Sequence, residues 1–324
     1  MPNVQLYAPS IVLEWETVEE GGIARATRAL GEVSRQLAEL QNELNAPAEL
    51  IVCYEERVIS EAALRALLER AAPSGWTCAV ILLPVPSGTG YYEKKNAGAL
   101  ASSNEIILLL DSDLLPDPGW LRNMLSVFHD WSVSVIIGAT HLDHATPYEM
   151  AVALFWIFDP ATYGRGIQPL RRYSSNNLAF RRALLLRFPY PSHPTFRGQC
   201  AYISKKLMAA GIRLEEHTDA RTSHPPPPGL KGFIQRAAVA GGDEFFYQNM
   251  DGAVSPGSAL QQWRRDLQVV ARRIRERRPM LRPNLPGYAL GWLAGGAYYT
   301  IKAVVFLSKT LNRPTKQQAS RAAV

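Results

Sequence analysis

The chain has 324 residues, 47% of them hydrophobic and 20% charged, with a formal net charge of +6 at pH 7. This composition is typical of a globular protein with a large core and excludes a disordered chain. Eight arginines and two acidic residues lie between Trp263 and Arg282 and account for the whole net charge, which argues against a general nucleic-acid-binding surface. Three scattered cysteines argue against a disulfide framework or a zinc site. The N-terminus lacks the features of a signal peptide, so we expect a cytoplasmic protein.

Short apolar runs in the first half predict buried strands, at Ile11–Leu13, Leu50–Tyr54, Cys78–Leu83 and Ile106–Leu110. Thr17 and Glu20 have the spacing of a capping box and predict a helix that extends to Leu44, and Ser60 is expected to cap the next helix. Strands that alternate with helices predict an α/β fold with a Rossmann-like, mostly parallel sheet and helices on both faces. Ligands of such sheets bind beyond the carboxyl ends of the strands.

Two acidic residues, Asp111 and Asp113, directly follow the apolar run Ile106–Leu110. We expect both carboxylates at the rim of the sheet, where a divalent cation (Mn²⁺ or Mg²⁺) would take oxygen ligands from the protein and from a nucleotide diphosphate. The ion would neutralise the charge that develops on a leaving diphosphate. One of the two aspartates could instead cap the helix predicted to begin near Pro118, so the pair alone leaves both interpretations open.

The residues around this pair form an ordered set of motifs. Residues 92–121 combine a basic residue and Asn-x-Gly, a strand, Asp-x-Asp, and then Pro and Trp-Leu. Residues 174–182 add small residues, an apolar strand and paired arginines, and residues 207–213 add a helix end. Together they resemble family 2 glycosyltransferases of the GT-A fold, from about Pro9 to Gly241. The resemblance implies a nucleotide-diphospho-sugar transferase domain over residues 1–245, followed by a helical tail over residues 246–324.

The resemblance also implies roles at the donor side of the site. Glu16 and Glu55 fall where the family holds the nucleoside, although the family more often has Asp at the second position. Lys95 matches a basic position near the nucleotide, and Asp111 would contact the nucleotide side. Asp113 would hold the metal ion.

His224 and Asp111 are further expected metal ligands. His224 stands where many GT-A enzymes have a histidine near the diphosphate or the metal, and imidazole is a competent ligand for manganese-like ions. A loop histidine bonded to the backbone is the alternative interpretation.

The acceptor is expected against Gln199 and residues 163–177, and here the chain departs from the family. The family usually has Glu-Asp before the corresponding helix, and one acid acts as the base. Gln199 can hydrogen-bond an acceptor but cannot take a proton. Inverting transfer needs a base unless the acceptor is already anionic. His193 or Asp159 could supply the base, the acceptor could be a phosphate or carboxylate, or activity could be lost, and the sequence does not choose.

The tail carries two unusual segments. Apolar residues recur at helical spacing among the arginines, at Leu260, Trp263, Leu267, Val270 and Ile274. They predict a basic amphipathic helix, which lies on anionic lipid or packs on the catalytic domain. Residues 288–307 are apolar except for Thr300 and Lys302 and have the length of a membrane span. Because Lys302 would cost about 3 kcal/mol within lipid, we expect interfacial or re-entrant attachment at the inner face of the membrane.

These features predict inverting transfer of a sugar from a nucleotide diphosphate sugar to a glycan, lipid-linked or cell-surface acceptor. A nucleotidyltransferase shares the sheet and the acidic metal site. A nucleotidyltransferase usually has a Gly-rich basic loop after the first strand. This chain has at that place the segment 14–20, in which four of the seven residues are glutamates. A non-catalytic binding or scaffold protein of the same fold is the other alternative, and Gln199 is the residue that favours it.

Overall fold

The computed structural model describes residues 5–158, 164–192, 198–250 and 254–312. The chain divides into two compact units, the first with residues 1–143, 158–194 and 199–225 and the second with residues 144–157, 195–198 and 226–324. The predicted boundary at residue 245 stays a prediction. The helix that contains this position, Gly229–Met250, begins and ends in the second unit.

A mixed sheet of nine strands forms the centre of the first unit, as far as the structure describes it. The strands are β1 (Pro9–Glu14), β2 (Glu49–Tyr54), β3 (Ala79–Pro84), β4 (Ile106–Asp111), β5 (Leu115–Pro116), β6 (Val135–Leu142), β7 (Ile167–Leu170), β8 (Asn177–Arg181) and β9 (Leu214–His224). Their order is β3-β2-β1-β4-β8-β6-β9-β5, and β7 pairs with β9. Strands β1 to β4 are mutually parallel, and β8 runs antiparallel between β4 and β6. The four predicted strands of the first half are confirmed.

Helices cover both faces of this sheet. In both units together, the α-helices of the described residues are α1 (Val18–Gly21), α2 (Ile23–Leu40), α3 (Glu61–Ala71), α4 (Tyr91–Ala101), α5 (Trp120–Ser126), α6 (Pro147–Phe155), α7 (Arg182–Arg187), α8 (Gln199–Ala209), α9 (Gly229–Met250), α10 (Pro256–Leu281) and α11 (Leu285–Leu311). Side chains alternate along each central strand, so Leu13 packs into the cluster with α2, α3 and α5, while Val12 packs into the cluster on the opposite face. The predicted α/β class is confirmed.

The start of the first long helix differs from the prediction. The chain forms the short α1, breaks at Gly22 with φ of 80°, and begins α2 at Ile23. Thr17 makes no side-chain capping bond, because its hydroxyl donates to Glu14 instead. The predicted capping role of Thr17 is therefore wrong, and α2 ends at Leu40 rather than at Leu44. The capping role of Ser60 is confirmed by the bond from the Ala63 N–H.

The described part of the second unit consists of helices α6, α9, α10 and α11. The predicted amphipathic helix is α10, which buries Val270 and Ile274. The predicted apolar segment lies within α11, whose length and composition, with a mean hydropathy of 1.3, would allow it to cross a membrane. Lys302 of α11 contacts Asp266 at 2.9 Å and Glu244 at 3.0 Å, so its charge is compensated within the bundle.

The Asn-x-Gly motif has a structural explanation in α4. Asn96 donates to the Tyr190 carbonyl at 2.8 Å and accepts from the Tyr190 N–H at 3.1 Å. A Cβ atom on Gly98 would lie 2.3 Å from Val12 Cγ1 and 3.1 Å from Cys53 Sγ. Glycine is therefore required at this position, because α4 lies directly on β1 and β2.

We predict that Gly98→Ala lowers the free energy of unfolding by about 2 kcal/mol, because the added methyl overpacks a close helix–sheet contact. Gly296→Ala is the control, since its Cβ would meet no atom within 4 Å and alanine favours helix. Urea unfolding of both variants measures the difference. Equal stability of the two variants would contradict the close contact.

Candidate active site

Two buried carboxylates meet at the carboxyl ends of β1 and β4. The register of the two strands pairs Glu14 with Asp111, and the two residues are 0% and 5% exposed. Lys95 Nζ lies 2.6 Å from Asp111 Oδ1 and is itself buried. The Tyr91 hydroxyl donates to both Asp111 oxygens, at 2.7 and 2.9 Å. Helix α4 thus supplies both groups that orient Asp111.

The environment of Glu14 favours the neutral form of its carboxyl group. Burial and the neighbouring Asp111 raise its pKa to about 8, against the opposing effect of Lys95. Its Oε2 accepts the N–H groups of Glu16 at 2.7 Å and Thr17 at 3.2 Å. The Thr17 hydroxyl donates to Oε1 and lies 2.9 Å from the Ser112 hydroxyl. Glu14 therefore ties the loop after β1 to the Asp-Ser-Asp segment.

Asp113 faces His224, the last residue of β9, rather than Lys95. The Asp113 side chain is 1% exposed, and its Oδ2 lies 3.6 Å from His224 Nε2. His224 Nδ1 contacts the Pro225 carbonyl, which can accept a hydrogen bond from Nδ1–H, and the other ring nitrogen, Nε2, is directed towards Asp113. A Cβ atom on Gly21 would lie 2.7 Å from Asp113 Cβ, so α1 closely covers this aspartate.

The pair of Asp113 and His224 suits a manganese-like ion, because it combines a carboxylate oxygen with an imidazole nitrogen. No group of three His, Cys, Asp or Glu side chains in the described residues could hold a metal ion. Two protein ligands would leave the remaining coordination positions to substrate oxygens. The structure places Asp111, the other predicted ligand, in the contact with Lys95 and Tyr91.

Arg25 anchors the Asp113 loop from α2. Its guanidinium donates to the Asp113 carbonyl through Nε and to the Ser223 carbonyl and hydroxyl through Nη2. Its Nη1 pairs with Asp143, which follows β6. The side chain is buried. It therefore fixes the backbone next to both Asp113 and His224.

A cavity of about 210 Å³ opens beside the ends of β1 and β2, lined by Trp15, Glu16, Glu55, Arg57, Val58, Gly88, Thr89 and Lys94. Lys94 Nζ lies 2.9 Å from Glu55 and 3.0 Å from Glu16. Burial tends to raise the pKa of Glu55, but hydrogen bonds from Arg57, the Gly88 N–H and Lys94 lower it to about 2. The cavity thus brings the two predicted glutamates together, and Lys94 is the lysine that lines it.

Gln199 is the first residue of α8 and is 4% exposed. Its Oε1 has no hydrogen-bond partner among the residues that the structure describes. The neighbouring Cys200 hydrogen-bonds the Tyr92 hydroxyl, which also contacts Ser175, and Ser175 Oγ lies 3.3 Å from the Tyr91 hydroxyl. This chain of contacts links the start of α8 to the Asp111 side of the site.

Several predicted residues lie outside the described part of the chain, namely His193, Asp159 and Tyr163. Four residues of the site were not predicted from the sequence: Glu14, Arg25, Tyr91 and Lys94. For Glu14 a usable signal exists, because it ends an apolar strand that pairs with the strand before Asp111. Lys94 and Lys95 are adjacent in sequence and both buried. Only the orientation of α4 decides that Lys94 lines the cavity and Lys95 contacts Asp111.

The chain is similar in sequence and in fold to known glycosyltransferases. The glycosyl transferase family 2 profile matches residues 60–208. Pre-mycofactocin glycosyltransferase from Mycobacterium tuberculosis is 25% identical over 178 residues, and the match covers 52% of this chain but 37% of that protein. The fold is similar to that of the mannosyltransferase PcManGT from Pyrobaculum calidifontis, in complex with GDP-Man and Mn²⁺ (TM-score 0.52, 15% identity, 97% of this chain and 78% of that chain). GalNAc-T7 with UDP, GalNAc and Mn²⁺ is also similar (TM-score 0.51, 13% identity, 72% and 48%).

We predict a pH-dependent stability difference between the wild type and Glu14→Gln. The folded-state pKa of Glu14, about 8, exceeds its ordinary value of 4.5, so the folded state binds the proton more tightly than the unfolded state. As the pH rises between these two values, the wild type loses up to about 1.4 kcal/mol of stability per pH unit. Glutamine mimics the protonated acid and lacks this loss.

Urea unfolding at about pH 5, 6.5 and 8 measures this difference. Glu39→Gln is the control, because Glu39 is exposed on α2. A wild-type curve that stays parallel to that of Glu14→Gln over this pH range would show that Glu14 is ionised in the folded protein.

We predict that Arg25→Met lowers the free energy of unfolding by about 3 kcal/mol, because it leaves buried carbonyls and the Asp143 carboxylate without their donor. Arg122→Met removes the exposed ion pair with Glu43 and is expected to cost about 0.5 kcal/mol. Urea unfolding at neutral pH compares the two variants. Similar losses would show that Arg25 does not anchor the loop.

Proposed function

Because this chain is a family 2 glycosyltransferase with the GT-A fold, we propose that it transfers a sugar from a nucleotide diphosphate sugar to a glycan, lipid-linked or cell-surface acceptor, with inversion and with the help of a divalent cation. The contact between Asp113 and His224 carries this proposal. Both residues lie at the carboxyl ends of their strands or just beyond, where α/β sheets bind ligands. Structural neighbours solved with Mn²⁺ and GDP-Man, and with Mn²⁺, UDP and GalNAc, support the same assignment.

The metal would be held by Asp113 Oδ2 and His224 Nε2, and when bound it supplies positive charge to the leaving diphosphate. A hydrogen bond from His224 Nδ1–H to the Pro225 carbonyl would leave Nε2 to the ion. Arg25 holds the backbone on both sides of the pair. The side chains of Asp113 and His224 would thus be oriented for the metal before the substrate binds.

The donor would occupy the cavity beside β1 and β2. Glu16 and Glu55 offer carboxylate oxygens to the hydroxyl groups of the nucleoside, and Lys94 holds both in place. Asp111 would accept a hydrogen bond on the nucleotide side, in an orientation set by Tyr91 and Lys95. Lys95 is buried, so its contribution to nucleotide binding would pass through Asp111.

The acceptor would lie near the start of α8. Buried oxygen atoms are usually hydrogen-bonded, so the Oε1 atom of Gln199, which lacks a described partner, fits a hydroxyl group of the substrate. Glutamine cannot remove the proton from that hydroxyl. His193 and Asp159 remain the candidate bases, and an anionic acceptor would need none.

We place the enzyme at the inner face of the membrane, attached through residues 246–324. Helix α11 supports this attachment by its length and hydropathy.

A second candidate function is a non-catalytic binding protein of the same fold, which the glutamine at position 199 favours. One assay, the release of nucleotide diphosphate from a panel of donors, distinguishes these two functions. An enzyme releases the nucleotide diphosphate from a donor panel in a reaction that depends on Asp113, whereas a binding protein binds the donor without turnover.

We predict that Asp113→Asn and His224→Ala each weaken Mn²⁺-dependent binding of UDP or GDP at least about tenfold, which corresponds to about 1.4 kcal/mol. His217→Ala is the matched control, because His217 lies on the same strand as His224 but pairs with Gly138 of β6 and Ile167 of β7. Isothermal titration with each nucleotide, with and without Mn²⁺, measures the effect. Failure of the wild type to bind any common nucleotide diphosphate would overturn the proposed function.

A further inference from the structure

Helix α11 has an apolar outer face, formed by Leu285, Leu290, Leu293, Val304, Leu307 and Leu311, which are 37% to 80% exposed. They recur at helical spacing over the length of α11, about 40 Å at 1.5 Å per residue. Exposed apolar faces of this extent mark interaction sites for protein or membrane.

The charged residues of α11 point away from this outer face. Lys302 is buried and contacts Asp266 of α10 and Glu244 of α9. Lys309 Nζ lies 5.0 Å from the ring centroid of Phe246 in α9. Helices of water-soluble bundles bury their apolar side and expose their charges. Helix α11 has apolar side chains on its outer face as well as on its packed side, and both of its lysines lie off the outer face, which indicates an apolar surrounding there.

Helix α10 carries several exposed arginines, and two of them lie beside aromatic rings of α11. We use the name arginine fringe for the exposed residues Arg264, Arg265, Arg272, Arg275 and Arg278. The guanidinium of Arg278 lies 4.8 Å from the ring of Tyr288, and that of Arg275 lies 5.9 Å from the ring of Trp292. Tyrosine and tryptophan favour the boundary between headgroups and acyl chains, and arginines at this boundary attract anionic lipid.

We propose that the outer face of α11 and the arginine fringe bind the surface of an anionic bilayer, with α11 lying in the membrane plane. The proposal rests on the membrane attachment proposed above and specifies its surface, its lipid charge and its orientation. A membrane is favoured over a second copy of the chain because the fringe is strongly positive, so two copies would bring like charges together.

The packing of α10 on α11 favours the in-plane orientation over a membrane span. Gly295 lies so close to α10 that its Cβ would meet Val270 Cγ1 at 2.8 Å, and Asp266 bonds Lys302 further along. A spanning α11 would therefore carry the arginine fringe into the hydrocarbon, where arginine is strongly disfavoured. In the plane, the outer face contacts acyl chains and the fringe stays among the headgroups.

Sedimentation of the full chain with vesicles tests the surface. We expect binding to vesicles of phosphatidylcholine and phosphatidylglycerol to exceed binding to pure phosphatidylcholine at least about tenfold. Leu293→Glu should lower binding at least about tenfold, and Leu100→Glu should leave it unchanged, since the two leucines are 71% and 69% exposed.

Two matched double variants test the contribution of the arginine fringe to vesicle binding. Arg275→Glu with Arg278→Glu should remove the preference for anionic vesicles, whereas Arg65→Glu with Arg70→Glu on α3 should keep it. The proposal would be overturned if the wild type did not bind vesicles. It would also be overturned if both double variants lost the same fraction of vesicle binding. A dimer in solution that Leu293→Glu dissociates, without vesicle binding, would assign the outer face to a second copy.

Depth measurements test the orientation. An environment-sensitive fluorophore is attached to Leu285→Cys, Ala297→Cys or Leu311→Cys, since the native cysteines are buried or half-buried. Quenching by brominated lipids should give similar, shallow depths for all three. A deep central label between shallow ends would show a span and overturn the in-plane orientation. Because no donor is present, these results are independent of the transfer activity.

Discussion

The pairing of β1 with β4 imposes the constraint on which the site depends, because it places Glu14 beside Asp111 with both carboxyl groups buried. Two adjacent ionised carboxylates would repel each other strongly in such an environment. Burial and the nearby Asp111 raise the pKa of Glu14, which reduces this repulsion. Asp111 is in turn bound by Lys95 and Tyr91. Asp111 thereby remains an acceptor with a fixed direction.

This solution separates the roles of the two aspartates in Asp-Ser-Asp. Asp111 ends β4 and receives its partners from α4, whereas Asp113 lies beyond the strand and faces His224 from β9. Each aspartate therefore meets a different chemical environment, although one residue separates them in the sequence. A carboxylate already bound to a lysine is a weaker metal ligand, so the division favours Asp113 for the cation and Asp111 for the nucleotide.

Local patterns predicted the strands and most helices because burial and capping act over a few residues. Ser60 illustrates this, since its capping bond depends only on the next three residues. Thr17 shows the limit: Glu14, which the sheet buries, takes the hydroxyl that a helix would otherwise use. Arg25 was missed for a similar reason. Its partners Asp113 and Ser223 come from distant segments, so only the folded chain brings them together.

The second unit shows how one residue changes meaning between sequence and structure. In the sequence Lys302 argued against a membrane span by its cost in lipid. In the structure the charge of Lys302 is compensated by Glu244 and Asp266, so Lys302 no longer opposes insertion of α11 into lipid. The arginines of α10 now oppose a membrane span, because Lys302 couples α11 to α10, and α10 carries exposed arginines. An apolar outer face coupled to arginines suits the boundary of a membrane better than its interior.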